Sequence, residues 1–397
     1  MLIGALLLGG CGGGDDRPQV PGDGALTIYT SLPMQGASAR TAEAVGAGQR
    51  LALADHKGRA GGHKIRLVAL DSSKPDGQTW DPSLVEKNAK LAAKDASAVA
   101  YLGELDRGGS AVSLPVTNAK GILQISPLDG LTSLTREQPG GPRGGPERFY
   151  PSGARTFARL VPVDLMQATM LVDWARERGS RSVAIVHDDR AWGRAIAGQA
   201  VFVAAARGIT VTIVREVKSA ANPPKPADDA KALAEAKVRP DAVIYAGLAD
   251  ASSAPLLAAI QQALPAADLY AAGVPADAEL DSGGTLRIVS DARPARYYGP
   301  KAARILARIG PDTPVAALYG YESMRLVLEA IDHSGADRAA VVREALRPGP
   351  QLGALGRIDL TRSGDLADQR VALYRRDATG LTFEGLRASV PPALEQP

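Results

Sequence analysis

The chain has 397 residues, 45% of them apolar and 22% charged, which suits a folded protein with two cores and excludes a disordered one. Its 46 basic and 43 acidic residues leave a net charge of only +3, and aromatics are 4%, so no nucleic-acid surface is expected. The single cysteine, Cys11, rules out an internal disulfide framework and a cysteine-based zinc cluster. The four histidines lack ligand spacing, so no metal and no cofactor is expected.

Residues 1–11 read MLIGALLLGGC. The apolar run is far short of the roughly 20 residues that span a bilayer, and it fits the end of a secretory signal peptide. Leu8-Gly9-Gly10-Cys11 resembles a bacterial lipobox, which makes Cys11 the expected lipid attachment and the extracytoplasmic face of the cell membrane the expected location. No Lys or Arg precedes the run, which fits a start upstream of Met1. Residues 12–24, rich in Gly, Asp and Pro, read as a flexible tether.

From there strand-like and helix-like runs alternate. Residues 26–32 predict a strand, 40–56 a helix, 65–70 a strand and 83–95 a helix with Asp81-Pro82 at its cap. Residues 99–103 predict a strand, 110–120 a helix ended by Gly121, and 122–126 a strand. Residues 129–153 hold too many Gly and Pro for an element interior. Strands at 183–186, 210–217, 242–246 and 269–272 then alternate with helices at 192–207, 228–237 and 253–263. Strands separated by such helices run parallel, with both faces covered, which explains a strand such as AVIYA with no polar position. Helices at 295–309, 316–333 and 338–346 and strands at 355–360 and 370–375 complete the pattern. The fold class expected is α/β, with two doubly wound lobes joined by three crossing strands. Lobe one would comprise 25–163 and 286–355, and lobe two 164–285 and 356–390. The crossings are expected near 162–164, 285–291 and 355–358.

Ligands of open parallel sheets bind beyond the carboxyl ends of the strands, and a cleft between two such sheets is a favoured site. After the third strand comes Glu104-Leu105-Asp106-Arg107-Gly108-Gly109-Ser110, with backbone N–H groups, a hydroxyl and a guanidinium at a helix start, a suitable anion site. After the fourth come Leu128 and Asp129, and Asp129 could accept from a ligand ammonium or hydroxyl. Trp192, Leu248, Asp250 and Asp277 follow strands of the second lobe, and Trp192 is either a flat ligand platform or a core plug.

Five segments in order resemble the solute-binding proteins of branched-chain amino-acid-type ABC transporters: SLPMQGASARTAEAVGAGQRLAL (31–53), VAYLGELDRGGSAVSLPVTNAKGILQISP (99–127), YPSGARTFARLVPVD (150–164), VAIVHDDRAWGRAIA (183–197) and ALYGYESMRLVLEAI (317–331). GELDRGGSAVSLPVTNAKGIL with YPSGARTFARLVP resembles the actinobacterial lipoprotein branch. The resemblance implies the type I periplasmic-binding-protein fold, with ligand contacts at Asp106, Arg107, Gly109, Ser110, Leu128, Asp129, Trp192, Leu248, Asp250 and Asp277. It implies a small polar solute, an amino acid or a related compound, delivered by a monomer to a membrane permease. Arg107-Gly108-Gly109-Ser110 stands where amino-acid binders carry a hydroxyl-rich loop, Thr41 and Leu248 stand where aromatics are usual, and the acid that pairs with a ligand ammonium is displaced to Asp277 or absent. A branched-chain amino acid is therefore not assumed. A lipoprotein that signals to a membrane receptor or kinase is the alternative. No nucleophile elbow, P-loop, zincin or dinucleotide motif is present, so no enzyme and no catalytic residue is expected.

Overall fold

A computed structural model describes residues 24–74, 80–139, 145–218, 225–249, 252–273 and 282–393. In chain order, the first lobe begins with β1 (Ala25–Leu32), α1 (Ala39–Asp55), β2 (Arg59–Ala60), β3 (His63–Asp71), α2 (Pro82–Lys94), β4 (Ala98–Leu102), α3 (Ser110–Asn118), β5 (Leu123–Ser126) and β6 (Phe157–Arg159). The second lobe follows with α4 (Asp164–Glu177), β7 (Ser182–Asp188), α5 (Ala191–Ala206), β8 (Thr210–Val217), α6 (Pro226–Ala234), β9 (Ala242–Ala246), α7 (Ser253–Ala263), β10 (Asp268–Ala272) and β11 (Leu286–Ser290). The chain then returns through α8 (Pro300–Ile309), α9 (Ala316–Ser334), α10 (Arg338–Ala345) and the hairpin β12 (Gln351–Gly353) and β13 (Gly356–Ile358), and ends on β14 (Val371–Asp377) and β15 (Gly380–Arg387).

The first sheet has the order β2-β3-β1-β4-β5-β6 and is parallel except for β2. The second has the order β15-β14-β11-β10-β9-β7-β8 and is parallel from β11 to β8, with β14 and β15 antiparallel at one edge. This is the two-lobed α/β architecture that the alternating pattern implies. Central strands β4, β7 and β9 are buried at every position because helices cover both faces. Edge strand β8 alternates toward exposure.

One face of the first sheet packs on α1, α8, α9 and α10, the other on α2 and α3. Asp81 caps α2 as its Asp-Pro signature predicts, its carboxylate accepting from the N–H groups of Ser83 and Leu84. The second sheet packs on α4 and α5 on one face and α6 and α7 on the other.

Residues 286–290, expected in the first lobe, pair with β10 and β14 and so belong to the second sheet. Residues 356–358 pair with 351–353 in a hairpin whose Ala354, Leu355 and Ile358 are buried in the first-lobe core, so the third crossing runs between Ile358 and Val371. Helix α4 has no counterpart in the periodicity because it is buried nearly all round, Asp164 through Val172 without a break. A helix so enclosed presents no apolar stripe.

Candidate functional site

The carboxyl ends of the strands of both sheets converge on Arg107. It leaves the first lobe in the loop between β4 and α3, and its guanidinium carbon lies 4.6 Å from the centroid of the Trp192 ring in α5 of the second lobe. Its Nη2 donates to Asp291, just after β11, and its Nε is 3.6 Å from an oxygen of Asp164, the first residue of α4. Asp164 is fully buried, and Arg107 and Asp291 expose 18% and 7% of their side chains, so this is an ion-pair triad shielded from water. Asp164 also accepts from the Trp192 indole N–H at 2.9 Å, which fixes the ring beneath the guanidinium. Gln167, one turn into α4, donates its amide to Asp291 at 2.6 Å and to Asp164 at 3.4 Å.

Gly273, at the end of β10, lets the ring lie there. Its φ is +74°, and an added Cβ would fall 2.2 Å from the ring carbons of Trp192. A side chain at this position would meet both the backbone preference and the indole.

Burial pushes the Asp164 carboxyl up to about 7, against the pull of Arg107 and with a further push from Asp291. Burial likewise raises Asp291, partly offset by Arg107. Burial alone would lower Arg107, but Asp291 and Asp164 outweigh it and raise it. Asp106 is pushed up to about 6, first by burial and then by the charge of Asp129, against a hydrogen bond from Ser38. Its second oxygen is buried without a partner.

Two of the expected ligand groups satisfy each other. The N–H groups of Gly108 and Ser110, read from the sequence as an anion site at a helix start, both donate to Asp129 at 3.0 Å, which accepts from the N–H of Leu131 as well. Asp129 is thus a cap supplied from the next loop, and Ser110 is fully buried with its hydroxyl accepting from the Glu104 N–H. Gly109 packs so closely on Glu104 that a Cβ would fall 2.8 Å from its side chain. Arg159, also fully buried, holds this loop by donating to the carbonyls of Asp129 and Leu131 while paired with Asp365.

Leu128 is half-buried against the first-lobe core and Leu248 against the second. The N–H of Leu248 donates to Asp188, which also pairs with Arg190. The structure therefore brings Arg107 and Trp192 together, with Asp106 beside Arg107 in the chain and Asp129, Gly109 and Ser110 shaping the loop behind them. Asp250, Asp277 and Cys11 lie outside the described residues. Asp164, Gln167 and Asp291 were not among the expected site residues. Asp164 and Asp291 fall in segments the sequence marks only as crossings, although they too follow strands.

Two doubly wound lobes, three chain crossings and a polar cluster at the facing strand ends define a type I periplasmic-binding-protein-like fold. The chain belongs to the Periplasmic binding protein family, whose profile matches residues 27–380. Among similar solved structures is a leucine-binding protein from Thermotoga maritima, with TM-score 0.72 and 19% identity, covering 91% of this chain and 98% of that one. An ABC transporter solute-binding protein from R. palustris in complex with benzoate has TM-score 0.72 and 16% identity, covering 94% and 100%. A substrate-binding protein from Desulfitobacterium hafniense in complex with Leu has TM-score 0.68 and 18% identity, covering 90% and 99%. A search of curated protein sequences returns no match. Among the described residues no helix is long and apolar enough to cross a membrane.

Proposed function

We propose that this protein is an extracytoplasmic solute-binding lipoprotein that captures a small polar solute between its lobes and delivers it to the permease of an ABC transporter, without catalysis. The observation that carries the reading is the contact of Arg107 with Trp192, a charged group of one lobe on an aromatic of the other where the strand ends face. Closing the lobes on a solute expels water and strengthens every polar contact there. Family membership supports the role, as does the likeness to proteins that hold leucine or benzoate.

Asp106, Trp192, Leu128 and Leu248 are the contacts we assign, with Arg107 as the first-lobe group that meets Trp192 on closure and with Asp250 and Asp277 after the second-lobe strands. Cys11 is the lipid attachment, residues 12–24 the tether, and the tethered molecule acts as a monomer.

Thermal melting of the purified protein against amino acids, amides, ureas, polyamines and organic acids tests the reading. A solute at 100 times its dissociation constant adds roughly 2.7 kcal/mol to the folded state. No shift with any of them, in a folded protein, would count against solute binding. Replacing Cys11 with Ser should move the protein from the membrane fraction to the soluble one.

A further inference from the structure

The surroundings of Arg107 form a receptor for a planar cation, and none of its walls comes from Arg107's own lobe. Trp192 of α5 offers the ring face, and Asp164 and Asp291 offer two carboxylates beside it. Gly273 leaves room for the ring, and Gln167 orders both carboxylates. An aromatic face flanked by carboxylates suits a guanidinium or ammonium group.

A neutral or anionic group in the same place would leave two carboxylates buried without counter-charge, which is strongly unfavourable. Asp129 adds a third negative charge that acts on Arg107. The receptor is also under-filled with donors. A guanidinium carries five N–H donors. Arg107 Nε makes no hydrogen bond, and the Gln167 oxygen, on a side chain fully buried, has no partner although its amide nitrogen is turned onto the carboxylates. A tethered side chain reaches only part of what a free ligand could.

We propose that this receptor is the cation subsite for the solute, that Arg107 is its tethered occupant, and that the solute carries a guanidinium or ammonium group that displaces Arg107 from Trp192. The proposal rests on the solute-binding reading and deepens it. Opening the lobes withdraws Arg107 as part of the first-lobe loop, and closure on a cationic solute replaces it. Because solute and Arg107 compete, weakening Arg107 strengthens binding by the fraction of time the side chain occupied the site.

The test is isothermal titration of the full chain with agmatine and L-arginine, against benzoate and 4-hydroxybenzoate, which carry no cation, in the wild type and in Arg107→Gln, Arg107→Lys and Asp164→Asn. Agmatine or arginine should bind the wild type, bind Arg107→Gln about 10-fold more tightly, and bind Asp164→Asn at least about 10-fold more weakly, as loss of a buried charge partner implies. Should Arg107→Gln not fold, Arg107→Lys keeps the charge but loses the planar stack, and must still bind agmatine more tightly than the wild type does. Binding of benzoate or 4-hydroxybenzoate alone, abolished by Arg107→Gln, would make Arg107 an anion grip; the proposal would fall and the solute-binding reading would stand. No binding of any of the four by wild type or folded variants would overturn both.

Discussion

Arg107 and Trp192 belong to opposite lobes, yet the guanidinium of one lies over the ring of the other at 4.6 Å. The contact makes lobe closure and charge burial one event. Truncating Arg107 to Ala leaves Asp164 and Asp291 buried beside each other with no cation between them. The expected loss is about 3–5 kcal/mol, read as a drop in denaturation midpoint. It should be smaller at pH 5 than at pH 8, because an unpaired buried carboxyl can take up a proton at the lower pH. An equal loss at both would mean that the ion pair is not what the variant removes.

Asp129 accepts three backbone N–H groups, from Gly108, Ser110 and Leu131. Asp129→Ala orphans them, two at the start of α3 and one in its own loop, at an expected cost of about 2 kcal/mol. Hydrogen exchange at Gly108 and Ser110 should rise with it. A variant with unchanged protection there would show that the loop holds itself without this carboxylate.

Glu104 is buried against Ser31 and Tyr101, which both donate to it, and burial followed by the charge of Asp129 pushes it up to about 8 from an ordinary 4.5. Its folded value lies above its unfolded one, so the native state binds the extra proton. The stability this contributes is present below about 4.5 and lost as pH rises through about 8. Asp106, raised to about 6, and Asp164, raised to about 7, act in the same direction. Melting temperature should therefore fall between pH 5 and 8.5, and Glu104→Gln should flatten the slope. A midpoint that climbs across that range would contradict this assignment.

Gly273→Ala tests the seat of the indole. An Ala at φ +74° with a Cβ 2.2 Å from the ring must push Trp192 aside. The cost should be about 2–4 kcal/mol, combining the left-handed penalty with overpacking. Circular dichroism of the indole should change together with stability, and a variant that melts like the wild type would place the ring elsewhere.

Much of the architecture was legible because its central strands are apolar throughout and its helices are separated by turn residues. The strand LTIYTSL and the run AVIYA needed no more than their lengths and neighbours. Helix α4 escaped because Leu165, Met166, Met170, Leu171 and Trp174 face every direction and all are buried. Strand β15, with mostly half-exposed positions at a sheet edge, carried too weak an alternation. At the site, reading the residues after each strand found Arg107, Trp192 and Asp129. It could not foresee that Asp129 would turn back onto N–H groups some twenty positions earlier, since no local signal couples the two loops. The same rule applied to the ends of β6 and β11 would have reached Asp164 and Asp291.

The chain's return path sets a schedule for its making. β1 is translated early, yet three of the four helices that cover one face of its sheet, α8, α9 and α10, follow all of the second lobe's parallel strands. At about 5–20 residues per second, the first sheet, whose last strand ends at Arg159, waits roughly 9–35 s for α9 to be made. β11 in turn stays an open edge until β14 and β15 arrive, after the whole return through the first lobe. Each half waits on chain made after the other has begun, so a premature stop within α9 leaves both lobes incomplete at once.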